Sequence, residues 1–181
     1  MKNLVFTALL SVAIASSASA QSVKSTQTSS SGTPITIYAD EFAERFEYTS
    51  PSIESGDGQM MVARTDKGQD KGNVKLIGFF VYSGDWRYYD SALFRGGARA
   101  NFQEAGRDVG RCHSSRYSRP SCTLTEQFSI SVSPEEIAQH SRDGKLDIQV
   151  RSGRSTETAI FSVPTAYFDA VREVADDRQA R

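Results

Sequence analysis

The sequence predicts a mainly β protein: an antiparallel β-sandwich of roughly seven to nine strands, with a short connecting helix and a C-terminal amphipathic helix. Three observations carry that expectation. The chain holds ten Phe, seven Tyr and one Trp, whereas Leu is confined after residue 20 to Leu76, Leu93, Leu124 and Leu146. Aromatic and β-branched side chains suit a pleated, half-buried surface. Between Cys122 and Val132, one parity holds Cys122, Leu124, Phe128, Ile130 and Val132, and the other holds Thr and Ser with Gln127. That alternation is a strand with one wet face. Finally, Gly56-Asp57-Gly58, Ser83-Gly84-Asp85, Gly96-Gly97 and Ser152-Gly153-Arg154 cut the chain into strand-length pieces.

Residues 1–20 read as a signal peptide. Lys2 supplies the positive start, the apolar stretch Leu4–Ala15 follows, and Ala18-Ser19-Ala20 offers small residues for cleavage near Ala20. A periplasmic or secreted product is therefore expected. Residues 21–33 contain Val23 as their only large apolar side chain, which predicts a flexible Ser/Thr-rich tether. The segment 34–181 is expected to form a single sandwich domain.

Within that domain, Ile35 and Ile37 alternate in a first strand. Segments 45–49, 59–65, 74–82, 86–89, 99–102, 122–132, 146–150 and 158–163 follow as further strands. Ser133-Pro134-Glu135-Glu136 carries an N-cap serine, a proline at the first helical position and a glutamate at the third. This is a capping box, so a short helix starts there. From about Thr165 to Arg178, Tyr167, Phe168, Val171, Val174 and Ala175 form a stripe that either packs on the sheet or meets a partner.

Charge narrows the function classes. The formal net charge is −1, which argues against a nucleic-acid binder that works through bulk positive charge. No apolar run after the leader reaches the roughly 20 residues of a membrane-spanning helix. In an exported chain, the only two cysteines, Cys112 and Cys122, are expected to form a disulfide. Closing so small a loop is worth about 2.5–3 kcal/mol on chain-entropy arithmetic.

The search for chemistry yields a short list. Only His113 and His140 are available as imidazole bases, and neither sits in a recognisable nucleophile or metal motif. No cofactor or metal site is expected; Asp66 and Asp70 read as part of a solvated turn. Glu126 breaks its strand, falling on the inward face between Leu124 and Phe128. A buried carboxylate requires partners, and Arg95, Arg99, Arg111 or a tyrosine hydroxyl are candidates. If the cysteines pair in direct antiparallel register, Asp108 stands opposite Glu126, making these two the weak catalytic candidates.

The segment 87–119 carries seven arginines (87, 95, 99, 107, 111, 116 and 119) against Asp90, Glu104 and Asp108. It either compensates the acidic segment 40–57 or grips an anion through guanidinium forks. Trp86 and Tyr88 share a parity, and belong either to the core or to a sugar-stacking platform. The combined expectation is an exported, non-catalytic binding or envelope-associated domain. Arg95, Arg99, Arg111, Trp86 and Tyr88 would meet an anionic or carbohydrate ligand. The competing reading is an envelope-polymer hydrolase or lyase built on Glu126.

Overall fold

In the computed structural model, which describes residues 23–115 and 118–179, inward-facing side chains from two antiparallel sheets and one helix meet in a single core. The strands are β1 (Val23–Thr28), β2 (Pro34–Asp40), β3 (Arg45–Thr49), β4 (Ile53–Ser55), β5 (Gly58–Lys67), β6 (Lys75–Ser83), β7 (Tyr89–Phe94), β8 (Asn101–Ser115), β9 (Ser118–Ser131), β10 (Lys145–Ser152) and β11 (Thr158–Pro164). The helices are α1 (Pro134–His140) and α2 (Thr165–Gln179). The larger sheet runs β1-β2-β3-β5-β6-β9-β8, with β4 paired to β5; the smaller runs β11-β10-β7. The β-sandwich with a C-terminal helix is thus the fold. The expected leader, residues 1–20, lies outside the described residues.

Alternation explains the layers. Leu146, Ile148 and Val150 on β10 and Ala159, Phe161 and Val163 on β11 are buried, and their neighbours along each strand are not. They face Met60, Val62, Leu76, Phe80, Phe128 and Ile130 of the larger sheet. Each buried ring or branched aliphatic is worth about 1.5–3 kcal/mol relative to exposure. Tyr89 stacks on Phe80 with ring centroids 3.8 Å apart, joining the first residue of β7 to the larger sheet. This packing requires Gly78: a Cβ there would stand 2.4 Å from Cζ of Phe128.

α2 packs across β5, β3, β2 and β11. Phe168, Val171, Val174 and Ala175 of the expected stripe are buried, and Tyr167 packs at its margin. At α1, the Ser133 side chain accepts from the Glu136 backbone at 3.2 Å while the Glu136 carboxylate accepts from Ser133 at 2.8 Å. The capping box is therefore present as expected. No helix among the described residues is long and apolar enough to cross a membrane.

Four expectations need correction. The segment 21–33 is not a free tether throughout, because Val23–Thr28 pairs residue by residue with β2. As an edge strand with almost no buried side chain, β1 has no need of apolar alternation. Ser30 also holds Glu173 of α2 through its backbone and hydroxyl, both at 2.7 Å. Trp86–Tyr88 is loop rather than strand, and Tyr88 has a left-handed φ of 55°. Strands number eleven among the described residues, since β1 and three-residue β4 carried no pattern to read. Asp66 is not on a solvated turn: β5 continues through it, and it lies 1% exposed beside Arg64.

Candidate functional site

β8 and β9 form a long hairpin whose outer part projects past β6, and Cys112 and Cys122 are disulfide-bonded across it. Between this staple and the body of the sheet, β8 bulges. Val109 pairs with Leu124 and Cys112 with Cys122, so Gly110 and Arg111 together oppose Thr123. The extra residue moves the register by one. Arg107, not Asp108, therefore stands opposite Glu126, and Asp108 pairs with Thr125. The expected carboxylate pair does not form.

Glu126 is instead enclosed by donors. Oε1 accepts from the Tyr82 hydroxyl, from the Tyr88 backbone at 3.0 Å and from the Arg87 backbone at 3.2 Å. Oε2 accepts from the Tyr89 backbone at 3.1 Å and from Nε of Arg107 at 3.2 Å. At 3% exposure, the carboxylate has its acceptor capacity taken up by protein. A tyrosine hydroxyl is among the partners, as expected; none of Arg95, Arg99 and Arg111 is. Burial, reinforced by the bond to Glu126, pushes the Tyr82 hydroxyl well above the ordinary tyrosine range. The arrangement suits an anchor for the loop 86–88 better than a proton donor meeting a substrate.

The anchored loop gathers cations. The Arg107 and Arg154 guanidinium groups lie over the Tyr88 ring at 4.7 and 4.0 Å from its centroid. Arg154 is delivered by the β10–β11 turn, where the Ser152 hydroxyl donates to the Arg87 carbonyl and accepts from the Arg154 backbone. Arg87 lies over the Tyr82 ring and pairs with Asp57 at 2.9 Å. That pair links the basic and acidic segments directly. Tyr88 is consequently covered by guanidinium rather than bare, and Trp86 is partly buried against the core.

The remaining predicted arginines separate. Arg95 forms an ion pair with Asp147 on the smaller sheet. Arg111 is exposed beside the disulfide on the outer hairpin. Arg116 and the Arg119 side chain lie outside the described residues. Arg99 lines a cleft of about 530 Å³ where β7 and β8 meet, together with Arg151, Asp90, Ser91, Asn101 and Phe102. There the connection leading into β8 folds back on β7 through a Leu93–Arg99 bridge and a 2.9 Å bond from the Ala100 backbone to Ala92.

Arg151 was missed because it sits at an outward position of β10, where a charged residue reads as ordinary surface. Neither Arg99 nor Arg151 has a carboxylate partner among the described residues, whereas Arg64, Arg87, Arg95 and Arg107 all do. No group of three or more His, Cys, Asp or Glu side chains suited to a metal ion occurs among the described residues. Comparison of the chain with protein-family models, with curated proteins and with solved structures finds no match.

Proposed function

We propose that this is an exported, non-catalytic binding domain that acts in the periplasm or outside the cell and holds an anionic group of an envelope polymer in the β7–β8 cleft. The supporting observation is the pairing state of the arginines. Arg99 and Arg151 share that cleft without carboxylate partners, whereas the arginines nearer the core are already neutralised. A guanidinium fork offers paired N–H donors that match carboxylate, phosphate or sulfate oxygens. Asn101 and Ser91 add polar groups, and Phe102 adds an apolar wall, as an acidic sugar residue would require. Asp90 accepts from the Ser91 hydroxyl at 2.9 Å and limits the charge the cleft can accept.

Direct sugar stacking is the weaker form of this reading, because Tyr88 is covered and Trp86 is partly buried. The test is titration of the mature protein with an anionic polysaccharide such as alginate, over a series of salt concentrations. Affinity is expected to fall steeply with salt and by about tenfold in Arg99→Ala and in Arg151→Ala. Arg111→Ala, on the outer hairpin, should leave it nearly unchanged. Binding that ignores both cleft substitutions would sink the assignment. Export is checked separately by N-terminal sequencing of the released protein, which should begin at Gln21.

A further inference from the structure

The outward face of the smaller sheet carries a row of side chains that crosses all three of its strands. Gln149 of β10 is the Cα partner of Ile160 on β11 and of Leu93 on β7, and Leu93 bridges in turn to Arg99. Residues directly opposite each other in antiparallel pairs share one face of a sheet. Arg99, Leu93, Gln149 and Ile160 are therefore neighbours in a line, in that order. The line covers three inter-strand steps of about 4.8 Å, about 14 Å in all. Leu93 lines both the β7–β8 cleft and a second cleft of about 340 Å³ that holds Gln149 and Ile160. The two clefts adjoin along the row.

Charge changes sign from one end of the row to the other. At the first end Arg99 and Arg151, opposed by Asp90, leave an excess of one positive charge. In the second cleft Arg95 is committed to Asp147, which also accepts from the Ser162 hydroxyl at 2.6 Å. Lys145, on the same side of β10, stands four residues from Gln149, about 13 Å away. Ile160, 58% exposed, also borders a cleft lined by Asp57 and Glu157 against Arg87 alone, an excess of one negative charge. An anionic group is attracted at the Arg99 end and repelled at the Ile160 end. Between them the surface is apolar at Leu93 and Ile160 and neutral at Gln149, whose amide both donates and accepts.

We infer that the ligand is a mixed oligosaccharide, one acidic sugar followed by neutral ones. Its carboxylate lies between Arg99 and Arg151; its neutral rings rest their apolar faces on Leu93 and Ile160, with hydroxyls meeting the Gln149 amide. The acidic end rests on the reading of the β7–β8 cleft as an anion site, and the neutral part rests on the row.

Calorimetric titration of the mature protein tests this with three probes of four sugars each. Glucuronosyl-xylotriose has one uronate on three neutral sugars, xylotetraose is wholly neutral, and tetramannuronate from alginate is wholly acidic. Glucuronosyl-xylotriose should bind at least about tenfold more tightly than either of the others. Arg99→Ala should weaken both uronate probes about tenfold. Ile160→Thr, which keeps a β-branched residue at an exposed strand position, and Gln149→Ala should each weaken glucuronosyl-xylotriose severalfold and leave tetramannuronate unchanged. Val109→Thr, at an exposed apolar residue of the outer hairpin, should change nothing. Equal affinity for the mixed and the wholly acidic probe overturns the proposal. So does unchanged affinity for glucuronosyl-xylotriose in both Ile160→Thr and Gln149→Ala; if Arg99→Ala still weakens binding, the anion site itself survives that result. Loss of neither uronate probe in Arg99→Ala, or no binding of any probe, overturns both readings together.

Discussion

The Glu126 carboxylate holds Tyr88 in a left-handed backbone conformation: Oε1 accepts the Tyr88 N–H at 3.0 Å, and φ of Tyr88 is 55°. A bulky residue seldom occupies that region unless its surroundings compensate. Here the compensation is a charged acceptor that also binds the N–H groups of Arg87 and Tyr89. The consequence is positional, because Tyr88 then lies where Arg107 and Arg154 come over its ring.

Glu126→Gln should therefore act on stability. It keeps the shape but removes the charge and turns one acceptor oxygen into a donor facing N–H groups. The expected loss is about 3 kcal/mol, in the range for breaking a buried charged network. Urea unfolding measures it, and greater protease sensitivity near Tyr88 should accompany it. A fully stable Glu126→Gln protein would contradict the anchor role and restore interest in this carboxylate as a catalytic group.

Reducing the Cys112–Cys122 bond should cost about 2.5–3 kcal/mol without unfolding the domain. The bond lies in the exposed outer hairpin, away from the rings of Phe80, Tyr89 and Phe161 that join the two sheets. Denaturation curves with and without reductant give the difference, and amide exchange should rise mainly in the outer parts of β8 and β9. Loss of the β spectrum on reduction would show that the staple supports the core itself.

Raising the pH should destabilise the protein through Tyr48, Tyr82 and Tyr89. Burial raises all three hydroxyls above the ordinary tyrosine value; at Tyr48 the nearby Asp66 charge adds to it, and at Tyr82 the bond to Glu126 does. A raised folded-state value means that their contribution is intact below about pH 10, where the unfolded chain still keeps these protons. It is lost as pH climbs from there through the higher folded-state values. Carbon-13 NMR of labelled tyrosines should show these three titrating late, with stability falling over the same range. Titration of all three at the free-tyrosine value would refute this.

Much of the architecture is legible in single segments. Over 122–130, 146–150 and 159–163 the inward parity is hydrophobic except at Glu126, and both its burial and its need for partners follow from its place in the alternation. The α1 capping box lies within four consecutive residues. β1 was illegible because an edge strand exposed on both faces has no periodicity to show. The place of Asp66 was illegible because a charge following inward Arg64 mimics the end of a strand.

The site depended on relations that no segment contains. Alternation tells which way a side chain faces, since successive residues of a strand point to opposite sides. It does not say which residue of another strand will lie opposite. That depends on register, and the bulge at Gly110 and Arg111 replaced Asp108 with Arg107 across from Glu126. Arg99 and Arg151 meet for a similar reason: Arg99, in the β7–β8 connection, bridges to Leu93 of β7, and the β7–β10 register sets Arg151 opposite Ser91.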